Sequence, residues 1–166
     1  MIRGLGVAAL LVALLTAGCQ GYSSQRLTDF PSARTIAIVP FTNTTFYRDL
    51  ELRLSQQVAN EIRARTNLGF ASVDRADLLL SGHMYAREVP TVLAAEDGGV
   101  IQKRLEGWLE VVVTDRATGR VVRRQRVATT AEWREGVVGE SLEGSATDEW
   151  TRRIAEQVAQ VLERSF

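Results

Sequence analysis

The chain has 166 residues, with 20 basic and 20 acidic side chains, one histidine and one cysteine. That length suits one domain with a real core, and the neutral balance excludes a general attraction to nucleic acid or another polyanion, so any anion site must be local. With a single thiol and a single imidazole there is no disulfide, and a zinc site would have to be built largely from carboxylates.

The first segment is an export signal: Arg3 is a basic n-region, Val7 to Leu15 an apolar h-region, and Thr16-Ala17-Gly18 the small residues a signal peptidase requires before Cys19. Residues 1–18 are read as a lipoprotein signal peptide, Cys19 as the lipidation site, residues 19–33 as a tether, and residues 34–166 as the folded domain. Only about fifteen apolar residues precede Cys19, short of the roughly twenty that span a bilayer, so the expectation is an anchored chain. Gln20 follows the cysteine where aspartate is absent, as in lipoproteins sorted to the outer membrane.

Arg34 to Phe41 is a β-branched run that suits a buried strand, ended by Pro40. Thr42-Asn43-Thr44-Thr45 has loop and helix-cap composition, and Leu50, Leu54, Val58 and Ile62 recur every fourth residue along a helix from about Tyr47 to Thr66. A short strand over Phe70 to Val73 is expected, then a longer one over Leu78 to Val89 in which Gly82 marks a bulge or a close approach. Asp97-Gly98-Gly99 lacks the spacing and lysine of a phosphate loop and reads as a turn.

Period-two alternation from Ile101 to Asp115 puts Ile101, Leu105, Leu109, Val111 and Val113 on one face and Gln102, Arg104, Glu106, Glu110 and Thr114 on the other. Arg116-Ala117-Thr118-Gly119 turns the chain into a second strand over Val121 to Trp133. After a loop from Gly136 to Gly144, Ser145 and Asp148 have capping-box spacing before a helix with the stripe Trp150, Ile154, Val158, Val161 and Leu162. The fold expected is α+β, a two-layer sandwich with two helices on one face of a mainly antiparallel four- to five-stranded sheet. The other sheet face is left free.

No catalytic constellation emerges. His83 reads as a strand residue rather than a base, Glu106 and Glu110 as solvated carboxylates, and Asp74 with Asp77 as turn chemistry. The concentrated charge is Arg116, Arg120, Arg123, Arg124 and Arg126, which suits either a solvated edge strand or an anionic lipid headgroup; alternation puts Arg124 and Arg126 on one face and Arg123 on the other. Trp108, on the polar face beside Arg104, is either a partner contact or an aromatic shielded by a loop.

The chain resembles the LptE family of outer-membrane lipoproteins. The resemblance rests on Cys19 with Gly21-Tyr22-Ser23, Thr35 to Phe41 with Asn43 and Thr44, the Leu50 to Arg65 helix, Ala76 to Gly82, the hairpin with Asp115 and Thr118-Gly119, and the last helix. It implies a non-enzymatic partner, without cofactor, metal or nucleic acid, that sits within the LptD β-barrel translocon, assists its assembly and contacts lipopolysaccharide. Arg123, Arg124 and Arg126 are the candidates for the glycolipid phosphates, and Trp108 with Arg104 for the barrel. The competing reading is a lipoprotein activator of a peptidoglycan synthase, disfavoured because about fourteen residues between Cys19 and Arg34 reach at most roughly 50 Å. An exported hydrolase is a third class, disfavoured by the missing catalytic residues.

Overall fold

The computed structural model describes residue 30 and residues 32–91, 101–135 and 143–163; Cys19, the export signal, most of the tether and the Asp97-Gly98-Gly99 turn lie outside the described residues. The chain order is β1 (Thr35–Ile38), β2 (Thr42–Asn43), α1 (Leu50–Arg65), β3 (Gly69–Phe70), β4 (Leu78–Thr91), β5 (Ile101–Asp115), β6 (Val121–Glu135) and α2 (Glu143–Leu162). The architecture is the expected two-layer α+β sandwich, but the sheet has six strands and is mixed. Its order is β3-β1-β4-β5-β6, with β2 also paired to β4.

The long strands form an antiparallel meander, Leu78 opposite Asp115 at one end of β4 and Thr91 opposite Gln102 at the other. The short strands are parallel additions: β1 pairs with both β3 and β4, and β2 with β4. Strand β1 ends just ahead of Pro40, as expected, and pairing to β4 resumes two residues after the proline in a separate strand, at Thr42 opposite His83. The interruption turns Phe41 into the core, where it is 3% exposed. Gly82 makes this possible: a Cβ there would stand 2.7 Å from the Glu110 carbonyl oxygen and 3.2 Å from the Phe41 ring, so the glycine marks a close approach.

The four-residue stripe of α1 is wholly buried at Leu50, Leu54, Val58 and Ile62. On α2 the buried apolar set is Ala146, Trp150, Ile154, Ala155, Val158, Ala159, Val161 and Leu162. Both stripes lie on the sheet face made by Leu78, Leu80, Met84, Leu105, Leu109, Val111, Val113, Val127 and Trp133. Burial of this set is the main stabilising term, at roughly 1.5–3 kcal/mol per large side chain. Two expected caps are displaced. Residue Asp49, in the left-handed region at φ 58°, precedes α1 with no side-chain cap, while Asn43 orders the approach by donating to the Tyr47 carbonyl and to Glu51. Helix α2 starts at Glu143, ahead of Ser145, because Ala146 carries the buried stripe one turn further toward the N-terminus.

At the β5–β6 turn Gly119 takes φ 68° and its N–H donates to the Asp115 carbonyl, as a tight connection requires. The start of β1 is fixed by Asp77, whose Oδ2 accepts from the Arg34 N–H, the Thr35 N–H and the Thr35 hydroxyl. Those donors, the Arg34 N–H foremost, hold the Asp77 carboxyl below its usual range. A depressed folded pKa contributes stability that is fully present above the unfolded value near 4 and is lost as pH falls through the folded one. Replacing Asp77 by alanine is therefore expected to lower the melting temperature at pH 7, with the gap from the parent chain narrowing as the pH falls below the unfolded carboxylate value near 4 in a pH series of thermal melts. A gap that persists unchanged there would refute the carboxylate's role.

Candidate functional interface

The sheet face turned away from the helices carries the residues that the core does not use. Because paired residues share a face, β4 contributes His83, Tyr85 and Arg87, β5 contributes Arg104, Glu106, Trp108 and Glu110, and β6 contributes Arg124, Arg126 and Glu132. Tyr85 lies opposite Trp108, and their rings stack with centroids 4.3 Å apart and planes 26° from parallel. The Arg126 guanidinium stands 5.3 Å from the Trp108 ring. Tyr85, Trp108 and Arg126 thus form a row across three strands, with Tyr85 37% exposed.

Charged groups flank this row on both sides. Toward the turn, Arg124 pairs with Glu110 at 3.3 Å, and exposed His83 lies opposite Glu110 with its Nε2 3.4 Å from the Thr44 hydroxyl. Toward the other end, Arg87 pairs with Glu106, and Arg104 bridges Glu106 at 3.5 Å and Glu132 at 2.8 Å. The Glu132 hydrogen bond raises the Arg104 pKa further, so this cation stays charged at any physiological pH. Exposed pairs of this kind contribute about 0–1 kcal/mol each to folding, so the row and its rim are poorly explained by stability alone.

Of the residues singled out from the sequence, Trp108, Arg104, Arg124 and Arg126 come together on this face. Arg123 does not. Its Nη1 donates to the Val161 carbonyl on the last turn of α2, and its guanidinium lies 5.8 Å from the Phe30 ring. A cation there complements the negative end of the helix dipole, so Arg123 joins the helix layer to β6. Tyr85, Arg87 and Glu132 belong to the face but were not anticipated. Alternation along β4 puts Tyr85 and Arg87 with His83, yet only the β4–β5 register sets Tyr85 against Trp108.

Edge strand β6 is partly shielded by α2: Gln157 donates to the Ala128 carbonyl and Arg153 to the Thr130 carbonyl. Such side chains occupy edge carbonyls that would otherwise recruit another strand. Among the described residues no group of three or more His, Cys, Asp or Glu could hold a metal ion, and no helix is long and apolar enough to cross a membrane.

Residues 33–164 match the family model LptE, described as lipopolysaccharide-assembly. Among solved structures, a minor lipoprotein from Acinetobacter baumannii is similar with a TM-score of 0.53 and 12% identity, over 77% of this chain and 91% of that one. Lipoprotein B from Nitrosomonas europaea is similar with a TM-score of 0.55 and 10% identity, over 77% of this chain and 81% of that one. At these identities the likeness concerns the fold alone. No curated protein matches the chain by sequence.

Proposed function

Since the chain belongs to the LptE family of lipopolysaccharide-assembly proteins, we propose that it is a lipid-anchored, non-enzymatic outer-membrane lipoprotein that binds an LptD-like β-barrel translocon and assists its assembly. The observation that carries this reading is the sheet face that no described helix covers, where the Tyr85, Trp108 and Arg126 row sits inside a rim of paired charges. Aromatic and arginine side chains carry most of the energy of protein interfaces, and a rim of charge sets orientation and excludes wrong partners. A lipid on Cys19 would hold the domain beside the barrel and raise its effective concentration there. Arg124 and Arg126, on the same face, are the proposed contacts for glycolipid phosphates, where a guanidinium binds two oxygens at once.

Affinity purification of the full-length chain from detergent-solubilised outer membrane is expected to recover a large β-barrel. Recovery of a peptidoglycan synthase in its place would favour the activator reading. For the glycolipid contact, neutralising Arg124 and Arg126 together is expected to weaken lipopolysaccharide binding by on the order of tenfold at unchanged melting temperature. Unchanged binding would leave the pair as surface charge.

A further inference from the structure

The end of the domain where the chain enters carries features that the open sheet face does not absorb. Three segments meet there: the entry through Phe30 to Arg34, the connection from β3 to β4, and the β5–β6 turn. They are joined by the Arg116 N–H donating to the Asp77 carbonyl, by Arg116 Nε donating to the Ala76 carbonyl at 2.6 Å, and by the Asp77 bonds to Arg34 and Thr35. Between the entry segment and the turn is a cavity of about 340 Å³, lined in part by Phe30, Asp115, Arg116 and Arg120.

Asp74 is exposed beside Arg75, while the carboxylates of Asp77 and Asp115 are drawn to the backbone and the turn. Asp77 turns toward the backbone of β1, and Asp115 Oδ1 accepts from both the N–H and the hydroxyl of Thr118. The side chains of Arg34 and Arg120 form no hydrogen bond or ion pair among the described residues, and Arg75 reaches only Ser72 and, at 4.0 Å, Asp74. Two aliphatic side chains project beside these arginines without cover: Val73 is 49% exposed and Val121 44% exposed. Solvated guanidinium groups around exposed aliphatic side chains form the pattern that settles at a lipid surface, cations at the phosphates and apolar groups at the boundary.

We infer that this end, with Arg34, Arg75, Arg120, Val73 and Val121 foremost, lies against the phosphate-bearing surface of the phospholipid leaflet that holds the acyl chains of Cys19. The inference rests on the lipid-anchored reading above. Each contact is weak alone, and the anchor is what makes them count, because a tethered domain meets the surface at a high effective concentration. The contact fixes the domain's orientation: α1 spans about 24 Å, so the connection from β2 to α1, where Phe46 is 102% exposed, points away from the leaflet.

The test uses the full-length acylated chain in vesicles of phosphatidylethanolamine and phosphatidylglycerol. Acylation blocks the thiol of Cys19, the one cysteine of the chain, so Val73→Cys, Val121→Cys and Phe46→Cys variants each take an environment-sensitive fluorophore at one position. Lipids carrying a quencher near the headgroup are expected to quench the labels at 73 and 121 at least roughly fivefold more than the label at 46, and Arg34→Glu with Arg120→Glu to remove most of that difference, as does high salt. Equal quenching at all three positions, with the acylated Cys19 peptide confirmed by mass spectrometry, would overturn the orientation and leave the anchored reading intact. An unmodified Cys19 would overturn both.

Discussion

Replacing Trp150 by alanine is expected to lower stability by roughly 3–5 kcal/mol, the cost of emptying a fully buried large aromatic site. Trp150 is 0% exposed and its indole Nε1 donates to the Thr129 carbonyl at 3.3 Å, so it both fills the centre of the helix layer and joins α2 to β6. Alanine leaves the cavity and removes the indole hydrogen bond. Against a total stability of about 5–15 kcal/mol, the loss should move the melting temperature by about 10–20 °C, read by circular dichroism. Trp150→Phe keeps most of the volume and loses only the hydrogen bond, so its drop should be less than half as large. A shift of a few degrees for the alanine variant would mean that α2 packs less tightly than its burial pattern indicates.

The second large effect is on binding. Replacing Trp108 and Arg104 together by alanine is expected to reduce the barrel recovered with the chain by at least roughly tenfold, the scale of an interface hot spot. The fold should tolerate the change. Both side chains lie on the face away from the helices, and their contacts are the Tyr85 ring, the Arg126 guanidinium, Glu106 and Glu132, so the core set of Leu105, Leu109, Val111 and Val113 stays intact. Co-purification of the double variant at unchanged yield, with its melting temperature within about 5 °C of the parent, would remove this face as the docking surface.

Periodic segments of this fold are legible from residue spacing, because a long element with one buried face must repeat its apolar residues at the period of its backbone. The α1 stripe from Leu50 to Ile62, the α2 stripe from Trp150 to Leu162 and the β5 alternation from Leu105 to Val113 all stand where that rule puts them. Gly119 likewise announced its turn, since few other residues accept φ 68° without strain. Pairings remote in sequence are not legible in this way. Strands β2 and β3 have two residues each, too few to show a period, and their parallel partners are fixed by where β4 and β1 happen to lie.

The open face shows the same division. Its membership on β5 and β6 follows from alternation, which also separates Arg123 from Arg124 and Arg126. Its geometry does not: the Tyr85 and Trp108 stack depends on a register set by the whole β4–β5 ladder. The displaced α2 start has a local cause, since Ala146 gains more by continuing the packed stripe than Ser145 would by capping at that point.

Docking of the sheet face turned away from the helices on the proposed outer-membrane barrel is tested most directly by photocrosslinking in intact cells. A photoreactive phenylalanine replaces Tyr85 on that face and, in a separate variant, Gln56 on the exposed side of α1. The expected result is a crosslink from position 85 to a large β-barrel and none from position 56. Barrel crosslinks from position 56 alone, or none from either position while the chain remains folded and acylated, would contradict it.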